Sequence, residues 1–166
     1  MNQINPSASP ILEILKLRGI LSSMSVKSVR GFMERWQVDA YRAVVETHCA
    51  EEVTLAEVLA AEFRLTRIVR LRSRPLDKEA LKHLSYRDAM ELNILPYAFD
   101  GDGRLQVAIS DPTPRAGVEA WVKKCSFPID FYVGERSEIE AAIQRNYPLA
   151  MQLPMTMASC IQDVSG

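Results

Sequence analysis

The sequence predicts an α+β protein, with a helical N-terminal lobe followed by a small mixed β-sheet packed with helices. Two observations predict this class. Up to about residue 50, apolar residues recur at intervals of three and four, which places them on one face of a helix. From residue 52 to about residue 147, helix-like spacing alternates with short stretches rich in β-branched and aromatic residues. The simplest architecture that buries the apolar faces of both kinds of element is a mixed sheet with helices packed against it.

The N-terminal lobe is predicted to contain short helices. Ile11, Ile14 and Leu15 begin the first, and Gly19 is its expected interruption or cap. The segment 25–36 places apolar and aromatic side chains on one helical face, and a third set repeats the pattern further on. The residues concerned are Val26, Val29, Phe32, Met33 and Trp36, and then Tyr41, Val44, Val45 and His48.

A capping pattern begins the predicted α/β part. Thr54 is followed three residues later by Glu57, and in such a pair the hydroxyl and the carboxylate each accept a hydrogen bond from a free backbone amide of the first turn. The sequence therefore predicts a helix through Leu55 and Leu59 to Phe63. The next apolar run, 68–71, predicts a short strand.

Two short helices and a hairpin are predicted next. One helix lies around residues 80–84, and Ser85 with Asp88 begins the other. The sequence Asp-Gly-Asp-Gly at 100–103 then predicts a tight turn, because glycine adopts positive φ at little cost. The strands expected on either side of this turn are 94–99 and 104–110.

The remaining core elements are a helix, a strand and a helix. Asp111-Pro112 is interpreted as the start of the first helix, because Asp caps helices and Pro suits the first turn. Residues 129–133 predict a strand, and Ser137 with Glu140 forms a second capping pattern. The predicted order from residue 52 onward is α-β-α-α-β-β-α-β-α.

Three segments follow from these patterns. Residues 1–51 are predicted to form the helical N-terminal lobe, 52–147 the α/β core and 148–166 a Met-rich tail or linker. The last segment carries no charge before Asp163. One interpretation is a loosely ordered tail, and the other is a segment that contacts a partner, because methionine side chains adapt to irregular surfaces. Its methionines are Met151, Met155 and Met157.

Composition and charge narrow the class of protein. The chain is 48% hydrophobic and 25% charged with a net charge of -1, which argues against a general DNA-binding protein. Three widely separated cysteines without a Cys-x-x-Cys pair are typical of reduced thiols in a cytosol. The sequence shows no signal peptide and no apolar stretch near the roughly 20 residues of a membrane span. A cytoplasmic protein without a transmembrane segment is expected.

Enzyme motifs are absent from the sequence. It contains no phosphate-binding loop, dinucleotide fingerprint, nucleophile elbow or zinc-protease pattern. His48 adjoins Cys49, but neighbouring side chains on a helix point apart, so the pair is a weak candidate for a thiolate site. His83 is interpreted as structural, and turn chemistry explains the acidic residues of the predicted hairpin. We therefore predict no catalytic, cofactor-binding or metal-binding residues, and no enzyme.

Charge is unevenly distributed between residues 64 and 87. This segment contains eight basic residues and two acidic ones, Asp77 and Glu79. One interpretation is a docking surface for an acidic protein or a phosphate-bearing ligand, which guanidinium groups suit. The other is a solvated strand edge whose charges prevent association. In an extended segment, the alternating arginines 70, 72 and 74 would share a face. The predicted partner-binding residues are Arg64, Arg67, Arg70, Arg72 and Arg74, and the rest of the basic set is Lys78, Lys82 and Arg87.

Four sequence landmarks occur in an order typical of one family. They are a Leu- and Ala-rich helix at 55–63, Asn-Ile-Leu-Pro-Tyr at 93–97, a strand from Gly101 that ends in Asp-Pro-Thr at 111–113, and Val133-Gly134 followed by a helix with Tyr147 after it. With them, the chain from Leu55 to Tyr147 resembles the N-terminal domain of type II secretion and type IV pilus assembly ATPases, the GspE N-terminal or MshEN-like family.

The resemblance implies a bacterial protein-interaction or regulatory module rather than a catalyst. It implies docking to a secretion or pilus assembly component, or to a separate ATPase, and recruitment to the inner membrane through that partner. Two alternatives stay open: a cyclic di-GMP-sensing MshEN-type module that uses the basic stripe, and an accessory domain of a membrane glycosyltransferase system.

The cyclic di-GMP alternative depends on glycines that this chain lacks. Some family members bind the nucleotide through two copies of a pattern resembling Arg-Leu-Gly-x-x-Leu-Val-x-x-Gly-x-Ile. The segment 39–50 has neither the Arg-Leu-Gly nor the later glycine, and 15–21 keeps only Gly19 followed by an apolar pair. Because a side chain in place of glycine obstructs close approach of the backbone to phosphate, no nucleotide-binding residues are predicted.

Overall fold

The structure, a computed structural model, describes residues 9–152. Its contacts group these residues into two compact units. The first contains the described residues up to Arg67 together with Asp111–Thr113, and the second contains Ile68–Ser110 and the described residues from Pro114 onward. The predicted α+β class, with a helical N-terminal lobe and a small mixed sheet, is confirmed.

Four helices build the first unit. Pro10 lies in the first turn of α1, where a backbone amide has no acceptor within the helix. Proline therefore costs no hydrogen bond at this position. The Ser22 hydroxyl accepts from the Ser25 amide at 3.1 Å and caps α2, and Asp39 accepts from the Arg42 amide at 2.8 Å and caps α3. The bounds are α1 Pro10–Leu17, α2 Ser23–Trp36, α3 Ala40–Glu46 and α4 Glu52–Phe63.

The predicted helical faces form the core of this unit. On α2, Val26, Val29 and Met33 are buried, whereas Trp36 at the end of the same predicted stripe is exposed. Gly19 has a φ of +73° just after α1, as its predicted capping role requires. The fully buried side chains that α1, α3 and α4 add to this core include Leu12, Leu15, Tyr41, Val44, Leu55 and Leu59.

One mixed sheet contains the four strands, in the order β1-β4-β3-β2. Strands β2 and β3 are antiparallel, and β3 and β4 are parallel. A register shift between Pro96 and Ala98 marks a bulge in β2. The strand bounds are β1 Thr66–Arg67, β2 Ile94–Phe99, β3 Leu105–Ile109 and β4 Ile129–Val133.

The predicted hairpin is confirmed. Asp100 Oδ1 accepts from the amides of Asp102 and Arg104 at 2.9 and 2.8 Å, and Gly103 has a φ of +75°. At the start of β3, Arg104 then forms two hydrogen bonds to Asp130 of β4, at 2.7 and 2.6 Å. These bonds hold the pKa of the Asp130 carboxyl below its ordinary value.

Helices α5 to α9 complete the second unit. Ile139 and Ile143 of α8 are buried, as are Ile94 and Leu105 of the sheet. Gly134 joins β4 to α8 in a tight space, because a Cβ there would lie 3.1 Å from Ile68 Cγ2. The bounds are α5 Lys78–Leu81, α6 Tyr86–Leu92, α7 Ala116–Lys124, α8 Arg136–Asn146 and α9 Leu149–Gln152.

Three predicted helix starts are wrong. Thr54 and Ser137 lie inside helices, because α4 begins at Glu52 and α8 at Arg136, so neither acts as a capping residue. Asp111-Pro112 does not begin α7. Asp111 instead accepts from the amide and hydroxyl of Thr113, at 3.0 and 2.6 Å, and forms a local turn. In contrast, the predicted cap at Ser85 is confirmed.

The strand predicted at 68–71 is also displaced. The paired residues are Thr66–Arg67, and a 3-10 turn over Leu71–Ser73 follows. The predicted element order from residue 52 nevertheless agrees with the structure. The segment boundaries 1–51, 52–147 and 148–166 stay a prediction, and most of the Met-rich segment, with Met155 and Met157, lies outside the described residues.

Replacing Tyr147 by phenylalanine tests the packing of the second unit. Its hydroxyl donates to the carbonyls of Leu84 and Leu81 at 2.9 and 3.3 Å, and burial raises its pKa to about 12. We expect Tyr147→Phe to lower the free energy of unfolding by about 1–2 kcal/mol, because two buried carbonyls lose a donor. Urea denaturation measures the change. Tyr86→Phe, on the neighbouring half-buried ring, is the control, and an equal loss in both variants would contradict this role.

Candidate functional site

The five predicted partner-binding arginines do not belong to one unit. Arg64 and Arg67 lie in the helical unit, and Arg70, Arg72 and Arg74 lie in the second unit. Arg64 ends α4 in a left-handed conformation with a φ of 54°. Arg67 Nη1 lies 3.2 Å from Glu57 Oε1, so its charge is partly neutralised within the helical unit. The structure therefore brings only the last three together within one compact unit.

The backbone from Arg70 to Arg74 is a turn rather than a strand. Arg70 is left-handed with a φ of 57°, and the Ser73 and Arg74 amides donate to the carbonyls of Arg70 and Leu71, both at 3.2 Å. Leu71 is 1% exposed, so burial of this side chain anchors the turn. The predicted sharing of a strand face by alternating arginines is therefore wrong, because the chain curls to bury Leu71.

Helix α8 holds this turn at both polar groups of the Arg72 backbone. Glu138 Oε2 accepts from the Arg72 amide at 3.1 Å, and Arg145 Nη1 donates to the Arg72 carbonyl at 2.9 Å. The other Glu138 oxygen lies 3.5 Å from Arg72 Nε. The Arg72 side chain is thereby held beside α8 while remaining exposed. We call the exposed arginines Arg70, Arg72, Arg74 and Arg145 the basic turn.

Arg74 has a different neighbour, the ring of Tyr97. Its guanidinium carbon lies 5.9 Å from the ring centroid, within the range of a cation–π interaction. Tyr97 is 3% exposed, and its pKa is raised to about 12, mainly by burial and then by Tyr132, while Arg74 opposes the shift. Tyr97 therefore stays neutral and supplies a fixed aromatic surface under Arg74.

The basic turn carries more positive charge than its own contacts neutralise. Among residues 9–152, Arg70 and Arg74 have no carboxylate within ion-pair distance, and Glu138 is the acidic partner of Arg72. Guanidinium groups present several donors in one plane, which suits carboxylates and phosphates. This arrangement can bind anionic groups without first breaking ion pairs at Arg70 and Arg74.

Arg145 is absent from the predicted set. The sequence signal that could have identified it is spacing. Glu138 and Arg145 lie seven residues apart and therefore on one face of a helix. Of the other predicted basic residues, Lys82 pairs with Glu79 at 2.7 Å, and Lys78 and Arg87 lie exposed on α5 and α6.

The two histidines, Cys49 and Cys125 have local contacts of their own. His48 and Cys49 follow α3 rather than lying on it, and the Thr47 hydroxyl is 3.3 Å from Cys49 Sγ. His83 packs edge-on against Phe99 and Phe127, with ring centroids 5.6 and 4.6 Å away. Burial raises the pKa of the Cys125 thiol. Within residues 9–152, no group of three or more His, Cys, Asp or Glu side chains is placed to hold a metal ion.

The family model for the MshEN domain matches residues 62–153, which is more than half of the chain. The chain belongs to the MshEN domain family. The resemblance seen between Leu55 and Tyr147 is thereby confirmed. No curated protein matches the chain.

Solved structures share the fold of this MshEN domain. The structure of MshE with cdg (cyclic di-GMP) has a TM-score of 0.66 at 20% identity, over 84% of this chain and 100% of that one. The N-terminal domain of XpsE has a TM-score of 0.67 at 25% identity, over 89% of this chain and 100% of that one. A second crystal form of that domain, I4122, gives 0.56 with the same identity and coverage.

No helix that the structure describes in this MshEN domain is both long and apolar enough to cross a membrane.

Removing the Glu138 carboxylate tests how the basic turn is held. We expect Glu138→Ala to accelerate hydrogen exchange at the Arg72 amide by about tenfold, because that amide loses its acceptor and the turn opens more often. Exchange followed by NMR measures this rate in the folded domain. Glu119→Ala, which removes an exposed carboxylate from α7, should leave the Arg72 amide unchanged. Equal exchange in wild type and Glu138→Ala would contradict the role of Glu138 in holding the turn.

Proposed function

We propose that this MshEN domain is a non-catalytic regulatory module that docks onto a partner protein through the basic turn. The partner surface that fits is acidic, because Arg70 and Arg74 of the turn lack carboxylate partners among the described residues, whereas Arg72 pairs with Glu138. The module works in the cytoplasm, and the docking partner recruits it to the inner membrane.

The observation that supports this function most is the combination of exposed charge with a fixed backbone. Leu71 is buried, the Arg72 amide and carbonyl are both hydrogen-bonded to α8, and Arg74 lies over the Tyr97 ring. A surface whose backbone is already ordered loses less conformational entropy when a partner binds. The basic turn is therefore pre-organised for docking, although its side chains face solvent.

Two arginines of the basic turn, Arg72 and Arg74, engage separate neighbours. Arg72 lies against Glu138 on α8, whereas Arg74 lies over Tyr97 on β2. A compact anion site requires donors that meet at one ligand atom or group. A spread set of guanidinium groups instead matches several carboxylates on a protein surface. The family resemblance supports a secretion or pilus assembly component, or a separate ATPase, as that protein.

Charge reversal in the basic turn tests docking. Purified cytoplasmic domains of secretion and pilus assembly proteins from the same genome are measured against the wild-type domain by biolayer interferometry. We expect one of them to bind, and Arg70→Glu with Arg74→Glu to weaken that binding by about tenfold or more, because attraction becomes repulsion. Arg72 is left unchanged, because its backbone amide and side chain both contact Glu138 of α8.

The matched control reverses two other exposed charges of the second unit. Lys123→Glu with Lys124→Glu makes the same charge change in the last turn of α7 and should leave docking within about twofold. Equal weakening by both double variants would show general charge attraction and contradict a specific surface. Absence of binding to every component tested would also overturn the proposal.

Cyclic di-GMP sensing is the second candidate, and the solved structure of MshE with cdg is the observation that favours it. The arginines near the degenerate motif copies in this chain have carboxylate partners. Arg18 binds Glu62 through Nε and Nη2 at 3.1 and 2.6 Å, and Arg42 lies 3.7 Å from Glu46. Nucleotide binding through Arg18 would first require breaking its exposed ion pair with Glu62, whereas Arg42 is only loosely paired at 3.7 Å.

Calorimetry with cyclic di-GMP separates the two candidates. If docking is the function, we expect no saturable heat at moderate salt, because loose charge attraction fades as ionic strength rises. Saturation at one stoichiometry would instead establish a nucleotide sensor and displace protein docking as the leading function. Its loss in Arg70→Ala with Arg74→Ala would assign the nucleotide to the basic turn.

A further inference from the structure

The corner between α1 and α2 exposes two large apolar side chains. Leu17, the last residue of α1, is 85% exposed, and Met24, the second residue of α2, is 75% exposed. They stand on either side of the short turn that joins these helices. The turn itself is well anchored, because the Ile20 and Leu21 amides both donate to the Leu15 carbonyl, at 2.9 and 3.2 Å. Two exposed apolar side chains flanking one ordered turn make this corner a candidate interaction surface.

A basic groove lies at the same corner. Its volume is about 490 Å³, and the sequence neighbours of the two apolar residues, Lys16 and Ser23, are part of its lining. Further along α2 the lining is basic, with one acidic residue at the far end. The complete lining is Lys16, Ser23, Val26, Lys27, Arg30, Gly31 and Glu34.

Most of the basic side chains that line this groove are not tightly ion-paired. Among the described residues, Lys16 and Lys27 have no carboxylate within ion-pair distance. Arg30 Nη2 lies 3.7 Å from Glu13 Oε1, which is beyond hydrogen-bond reach. The N-terminus of α2 adds to the positive potential, because the first turn of this helix contains no acidic residue.

We propose that the α1–α2 corner, formed by Leu17, Met24 and the basic groove, binds the surface of an anionic phospholipid membrane. The apolar side chains enter the interfacial layer, while Lys16, Lys27 and Arg30 face the headgroup phosphates. This pairing of apolar tips with neighbouring cations is what peripheral membrane attachment requires. The inference concerns the helical unit and is independent of docking by the basic turn.

The charge pattern favours a lipid surface over a free phosphate ligand. A soluble anion would gain from the cations alone and would leave Leu17 and Met24 in water. A membrane uses both features at once, and the resulting attraction depends on anionic lipid and on salt. Binding should therefore require negative charge in the bilayer and the two apolar residues together.

Vesicle co-sedimentation of the full chain tests the proposal. The vesicles contain either equal parts of phosphatidylglycerol and phosphatidylcholine or phosphatidylcholine alone. We expect binding to the anionic vesicles only, about fivefold weaker in Leu17→Ser with Met24→Ser and about tenfold weaker in Lys16→Glu with Lys27→Glu. These positions are exposed, so circular dichroism and urea denaturation should show an unchanged fold.

Matched controls use residues outside the corner. Leu149→Ser removes another exposed apolar side chain, and Lys123→Glu with Lys124→Glu makes the same charge change on α7; both should bind like wild type. The proposal is overturned if wild type does not bind anionic vesicles, or if the controls lose binding as strongly as the corner variants. Competition by soluble glycerol phosphate at millimolar concentration would show a free-phosphate site and would also overturn it.

As a second readout, Leu17→Trp places an indole at the corner. Compared with wild type, whose emission comes from Trp36 and Trp121, the variant's fluorescence should shift to shorter wavelength with anionic vesicles, because the added ring leaves water. Brominated lipid should quench this additional emission. An unshifted spectrum with vesicle-bound protein would contradict insertion at this corner.

Discussion

The carboxylate of Glu138 accepts a hydrogen bond from the Arg72 amide, and the guanidinium of Arg145 donates to the Arg72 carbonyl. These two contacts join the turn after β1 to α8, the helix that covers the sheet, and they determine where the arginines of the basic turn stand. Burial of the Leu71 side chain stabilises the same geometry. The geometry of the basic turn is therefore a consequence of how the backbone of one residue, Arg72, is held.

Ion pairs with carboxylates determine which arginines stay available to bind an anionic group. Arg18, Arg67 and Arg104 lie close to carboxylates, and such exposed pairs contribute little to stability while they neutralise local charge. Arg70 and Arg74 lack such a carboxylate among the described residues, so their charge is not neutralised by an ion pair there. Because its net charge is -1, the chain has no general positive field that would attract anions. Any contact with an anion therefore depends on local arginines that are not ion-paired.

Much of the fold could be predicted because short-range patterns determine it. The hairpin at Asp100–Gly103 and the Ser85 cap depend on neighbouring residues, and both were found from the sequence. The turn at Arg70–Arg74 was missed because Leu71 is buried against elements distant in sequence, which converts an apparent strand into a turn. Arg145 was missed for the same reason, since its contact with Arg72 spans 73 residues. Family landmarks identified the domain but not the geometry of its surface.

The central claim is that the basic turn contacts the partner, and an NMR titration of the labelled domain with a docking cytoplasmic domain tests it most directly. The account predicts that amides from Arg70 to Arg74 and around Arg145 show the largest chemical-shift changes and are protected from exchange in the complex. Changes confined to the helical unit or to α7, with the turn unaffected, would contradict it.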